Sequence, residues 1–182
     1  MRQWVLFLLG MMIGAIAGGV QIHAWAAPNN TEVAEAVMYL AEKDIEVPPE
    51  VEKACIKAGK KYHISPEILE ALAWKESRYV QKAISDNGKC MGVCQVNPYT
   101  HSQRMNRLGV KDIYDINGNV LVAADLLAEL LESNDDMAFA LDRYNGNPKA
   151  EHYYNKGKVS GYAGEILKIS QALELMHTTQ KY

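Results

Sequence analysis

From residue 32 onward, apolar side chains recur every three or four positions, the period of an amphipathic helix. Residues 32–43 carry Val33, Val37 and Leu40 at that spacing. Val47-Pro48-Pro49 breaks the pattern. Pro49 can open a second helix, because the N–H it lacks would have no partner at a first helical position. Val51, Cys55, Ala58 and Tyr62 share one face of that helix, and Gly59 weakens it near its end. Residues 65–79 predict a third helix, with Ser65 as N-cap, Pro66 in the first position, and Ile68, Leu69, Leu72 and Ala73 on a buried face. Asn97-Pro98 can cap a helix over 99–107, which Leu108-Gly109-Val110 ends. Residues 115–119 predict a turn capping a helix over 120–133, where Ala123, Leu126, Leu127, Leu130 and Leu131 mark a core element. A short helix over 135–144 stops at Asn145-Gly146-Asn147-Pro148. Residues 153–157 predict a loop, and 161–177 a last helix with Ile166, Leu167, Ile169 and Leu173.

The stretch 80–98 departs from this period. Asp86-Asn87-Gly88 is a strong turn signal, and a short apolar run surrounds Gly92. A loop or small hairpin near 83–97 is the one place where β structure is expected. The fold class is therefore mainly α.

Glu76 continues the apolar face of the 65–79 helix. At ~100° per residue it projects within roughly 20–40° of Leu69 and Leu72. A carboxyl group in that position tends to hold its proton to higher pH, as a general acid requires. The competing reading is a glutamate that reaches solvent at the helix end or pairs with Lys75 or Arg78.

Composition narrows the class. The 182 residues, 48% hydrophobic and 23% charged, suit a single globular domain, and a net charge of −3 without basic clusters excludes a nucleic-acid footprint. Residues 1–26 predict a signal peptide: Arg2 precedes an uncharged apolar run over 4–20, and Ala24-Trp25-Ala26 offers a cleavage site. The alternative is an uncleaved anchor through residues 4–20, near the lower limit of a membrane span. Either way the domain is expected outside the cytoplasm: periplasm, cell wall or extracellular space. Residues 27–48 form an N-terminal helix and linker, and 49–178 the main domain. Cys55, Cys90 and Cys94 leave at least one thiol unpaired. A Cys55–Cys90 bridge, a Cys55–Cys94 bridge or none fits the sequence, and small buried cysteines are common.

Four blocks, in order, carry a family resemblance. They are Tyr62-His63-Ile64-Ser65-Pro66 through Trp74-Lys75-Glu76-Ser77-Arg78-Tyr79; Cys90-Met91-Gly92-Val93-Cys94-Gln95-Val96-Asn97-Pro98; Asn119-Val120; and Ala140-Leu141-Asp142-Arg143-Tyr144-Asn145-Gly146. Together they resemble the lytic transglycosylase domain of the soluble transglycosylase type, related to goose-type lysozyme, over about residues 50–170. Cys90, Cys94, Asn97 and Gly146-Asn147-Pro148 depart from the family pattern, which bears on substrate preference more than on the reaction.

The resemblance implies a lysozyme-like helical domain and cleavage of peptidoglycan between N-acetylmuramic acid and N-acetylglucosamine. Glu76 would protonate the glycosidic oxygen and then, as a base, take the proton of the muramic C6 hydroxyl. That hydroxyl attacks C1 of the same sugar, giving an anhydro end. An intramolecular nucleophile gains from proximity, so one carboxyl suffices. Ser77 would contact substrate or support the local backbone, Gln95 would contact an acetamido group, Tyr144 would hydrogen-bond Glu76 and Asn145 would line the cleft. For Gln95 and Tyr144 the plainer roles are a loop-capping amide and a core aromatic.

Asp86 could serve as a second carboxylate for hydrolysis, although its turn explains it. His63, His101, His152 and His177 show no metal-ligand spacing, and neither metal nor cofactor is expected. Tyr144, Tyr153, Tyr154 and Tyr162 could stack on sugars or pack in the core. The partners implied are glycan strands and, by family analogy, an envelope-spanning secretion or conjugation machine; the chain itself is expected to be a monomer. A hydrolytic muramidase and a non-catalytic glycan-binding component of such a machine are the alternatives.

Overall fold

The computed structural model describes residues 29–85 and 87–179, so the expected signal or anchor over 1–26 and Asp86 lie outside the described residues. Eight helices account for nearly all regular structure among the described residues. Helix α1 (Asn30–Glu42) opens on a capping box: Asn29 accepts from the Glu32 amide at 2.9 Å, and Glu32 returns a bond to the Asn29 amide at 3.1 Å. Helix α2 (Pro49–Tyr62) starts on its proline and ends at His63, which is left-handed at φ 58°. Gly59, near the end of that helix, is also a point of close approach. A Cβ there would lie 2.5 Å from the Ile64 carbonyl oxygen.

Helix α3 (Pro66–Ser77) is the centre of the domain. Every residue from Ile68 to Trp74 is buried, so it has no polar face along that run. α2, α5 and α8 enclose it. The expected single apolar stripe is thus too narrow a description. Ser65 precedes the helix, but its hydroxyl bonds Glu67 and caps no backbone amide. The helix stops two residues short of Tyr79, because Arg78 and Tyr79 are both left-handed, at φ 56° and 64°.

Helix α4 (Ser102–Leu108) begins later than the sequence predicts. Asn97 caps a preceding turn, its Oδ1 accepting from the Tyr99 and Thr100 amides at 3.0 and 3.2 Å. Helix α5 (Ile116–Glu132) begins earlier than predicted, with Asp115 as N-cap accepting from the Gly118 amide at 2.7 Å. Residues 116–119 are its first turn and not a separate one. Arg104 and Arg107 of α4 both bind Asp125 of α5, which Tyr62 of α2 also reaches at 2.8 Å. Helices α6 (Met137–Tyr144), α7 (Ala150–Asn155) and α8 (Gly161–Thr179) complete the chain. α7 occupies the first part of the predicted 153–157 loop. In place of strands, Met91 makes isolated antiparallel bridges to Ile84 and Val96, the small element expected near 83–97. Cys55, Cys90 and Cys94 are all free thiols; Cys55 and Cys94 are wholly buried and pack as small apolar groups.

Candidate active site

The last turn of α3 delivers Glu76 to the edge of the core, half-buried. Its Oε1 accepts from the Tyr162 hydroxyl, which the first turn of α8 carries. Burial raises the Glu76 pKa, and the Tyr162 bond and the Lys75 charge oppose that rise only in part. The carboxyl is therefore poised toward its protonated form while remaining reachable from solvent.

Beside it the 90–97 loop is fixed from three directions. Ser77, the residue after Glu76, donates from Oγ to the Val93 carbonyl at 2.8 Å. Tyr144, at the end of α6, donates to the Cys94 carbonyl at 2.7 Å. Asn119 of α5, wholly buried, donates to the Met91 and Ile113 carbonyls at 2.9 Å each and accepts from the Cys94 amide at 2.8 Å. That closeness dictates Gly92: its φ is +80°, and a Cβ would stand 2.3 Å from Asn119 Nδ2. Gln95 is left-handed at φ 48°, and its Nε2 turns back to the Gly92 carbonyl at 2.9 Å. Asn145 is exposed at the end of α6.

The structure thus brings Glu76, Ser77 and the 90–97 loop together, with Tyr144 behind that loop. It corrects one expected role. The Tyr144 hydroxyl is spent on the Cys94 carbonyl, and Tyr162 is the tyrosine that bonds Glu76. Ser77 supports backbone, and Gln95 caps its own loop. Of the tyrosine cluster, Tyr153 and Tyr154 lie on α7, with Tyr154 against Phe139 at a ring separation of 5.2 Å. A concavity of about 390 Å³ between α2 and the start of α5, lined by Lys57, Leu108, Lys111 and Asp115 among others, contains no member of the Glu76 group.

Residues 53–161 match the transglycosylase SLT domain. The chain belongs to the transglycosylase SLT family. The helical architecture is the lysozyme-like fold of an SLT domain, and the family membership supports lytic-transglycosylase-type activity on peptidoglycan. The X polypeptide of Escherichia coli is 31% identical over 118 residues, covering 62% of this chain and 69% of that protein. The X polypeptide of Escherichia coli strain K12 is 30% identical over the same length. Protein IpgF of Shigella flexneri is 35% identical over 81 residues, 41% of this chain and 53% of its own. The SLT match holds Glu76, Ser77, Gln95, Tyr144 and Asn145, and it ends at residue 161, one position before Tyr162. A signal for Tyr162 was present in the chain itself. It precedes Ile166, Ile169 and Leu173 by four, seven and eleven positions, which places it on the core face of the last helix.

Proposed function

We propose that this SLT domain cleaves the β-1,4 bond between N-acetylmuramic acid and N-acetylglucosamine without water, leaving a 1,6-anhydromuramic end. Glu76 gives its proton to the leaving oxygen and, as carboxylate, takes one from the muramic C6 hydroxyl while that oxygen bonds C1. Protons balance, and the enzyme returns to its starting form. The supporting observation is the surroundings of Glu76. Among the described residues, the groups that act on its charge are Tyr162 and Lys75, and neither is a carboxylate. A glycosidase of the usual kind sets two carboxyl groups about 5–10 Å apart. An acid held by a tyrosine, with no second carboxylate acting on its charge among the described residues, suits an intramolecular nucleophile better than an activated water.

In this reading the 90–97 loop, held by Ser77, Tyr144 and Asn119, forms one wall of the glycan cleft. Gln95 and Asn145 offer amides to the sugar substituents. Digestion of purified peptidoglycan in oxygen-labelled water tests the reaction. Products free of label support transglycosylation; label at the new ends means a muramidase; no released fragments means a glycan-binding protein. Export belongs to the same proposal, and an intact mass beginning at Ala27 in protein recovered outside the cytoplasm tests it against a retained anchor.

A further inference from the structure

One group of charges beside the site has no part in the chemistry just described. Glu165 lies three residues after Tyr162 on α8, so both side chains face α3. Glu165 Oε2 accepts from Lys75 Nζ, and its Oε1 accepts from Lys43 Nζ at 2.6 Å. Lys43 follows the last residue of α1, and Lys75 directly precedes Glu76. The two α8 side chains therefore grip two consecutive residues of α3: Tyr162 holds Glu76 and Glu165 holds Lys75. The grips also touch each other, because Lys75 Nζ lies 5.9 Å from the centre of the Tyr162 ring.

The surroundings are crowded with charge. Lys43 Nζ lies 5.6 Å from the ring centres of both Tyr39 and Trp74. Arg78 lies over Trp74, its Cζ 3.4 Å from the ring centre, and Lys168 Nζ lies 4.2 Å from that of Tyr39. Glu165 is the carboxylate that answers Lys43 and Lys75, and those two bonds hold its pKa down at about 2. Glu76 also acts on Cys94 and Tyr144, whose pKa values are raised chiefly by burial and further by its charge.

We infer that Glu165 is a positioning residue for Glu76. It draws the Lys75 ammonium off the acid and, tied to Lys43, makes that arrangement depend on α1 being docked. This rests on the reading of Glu76 as the acid. It extends that reading by tying the acid to α1, which precedes the SLT match at residues 53–161. Without Glu165, Lys75 loses its carboxylate partner and is left beside Glu76, whose charge it already acts on. A cation on that carboxyl favours its charged form, so the protonated acid disappears at lower pH. Without Lys75 the same carboxyl loses a neighbouring cation and keeps its proton to higher pH.

The test is a carboxyl-carbon NMR titration of Glu76 together with the pH profile of kcat/KM on peptidoglycan. It uses the full chain, Glu165→Gln, Lys75→Met, Lys43→Met and the double variant Lys75→Met/Glu165→Gln. Glu165→Gln is expected to lower the Glu76 midpoint, and the high-pH limb with it, by about one pH unit. Lys75→Met raises both, Lys43→Met lowers them by less than Glu165→Gln does, and the double variant follows Lys75→Met, because Glu165 acts through Lys75. Midpoints that stay together, or that all move in one direction alongside falling melting temperatures, overturn the inference and leave Glu165 a structural ion pair. Glu76→Gln in the same assay separates the two readings. If it is inactive and the midpoints do not move, this inference alone fails; if it is active, the acid assignment fails first.

Discussion

The Tyr162 hydroxyl donates to Glu76 Oε1 across 86 positions of chain, joining the start of α8 to the end of α3. A hydrogen bond to the charged form of a carboxyl lowers its pKa, and the bond also holds the rotamer. Tyr162→Phe is expected to reduce kcat by about 5- to 150-fold, the equivalent of about 1–3 kcal/mol, and to move the high-pH limb of activity upward. An unchanged pH profile would show that the bond does not act on the proton.

Tyr144→Phe should behave differently, although both changes delete one phenolic hydroxyl. The Cys94 carbonyl loses its Tyr144 partner at 2.7 Å. The expected result is a fall in stability of about 1–3 kcal/mol and a weaker KM, with the pH limb unmoved. A shifted limb in this variant would restore the sequence-based assignment of Tyr144 to Glu76.

Asn119 satisfies three backbone groups of the site loop and the turn before α5. Asn119→Ala leaves them without partners in a buried place, a cost of about 3 kcal/mol or more. Urea unfolding measures it directly. Gly92→Ala should cost at least as much as an ordinary left-handed glycine replacement, roughly 1 kcal/mol, because its Cβ also collides with Asn119. A Gly92→Ala protein as stable as wild type would mean that the loop can leave Asn119.

The limits of the sequence reading follow from where the partners lie. Pro49 and Pro66 are local signals, and the helices they begin are found where they point, whereas α5 starts at Ile116, inside the turn expected at 115–119. Glu76 was legible because its neighbours on the face are three to seven positions away. Tyr162, Glu165 and Asn119 act on groups far off in sequence, so the chain can set Tyr162 on a core face and Asn119 in a family block without giving their partners. Glu70 escaped for another reason. Periodicity sets it on a polar face, but α3 has none there, since three other helices surround it. The short α7 rests on its packing to α6, and a six-residue helix has little periodicity to detect.

Glu70 yields a prediction about stability. It is fully buried, and neither carboxyl oxygen has a hydrogen-bond partner among the described residues. Burial raises its pKa from the ordinary 4.5 to about 7; Glu67 and Glu52 push the same way and His177 opposes them. The folded state thus holds a proton that the unfolded chain releases. The contribution to stability is full below about pH 4.5 and is lost as pH rises through about 7, a total of about 3 kcal/mol. Glu70→Gln removes this titration. The difference in unfolding free energy between variant and wild type should grow in favour of the variant across that window and then level off. Parallel curves would mean that Glu70 is ionised in the folded protein throughout.

The central claim is that Glu76 runs an anhydro-forming cleavage, and mass spectrometry of fragments released from purified peptidoglycan tests it most directly. Wild-type protein should release fragments whose muramic ends are one water lighter than reducing ends. Glu76→Gln keeps the size of the side chain and an oxygen for the Tyr162 bond but cannot cycle a proton. Release should therefore fall by at least about 10²–10⁴-fold while the melting temperature stays near wild type. Reducing ends from the wild-type protein, or anhydro fragments released undiminished by Glu76→Gln, would contradict the account.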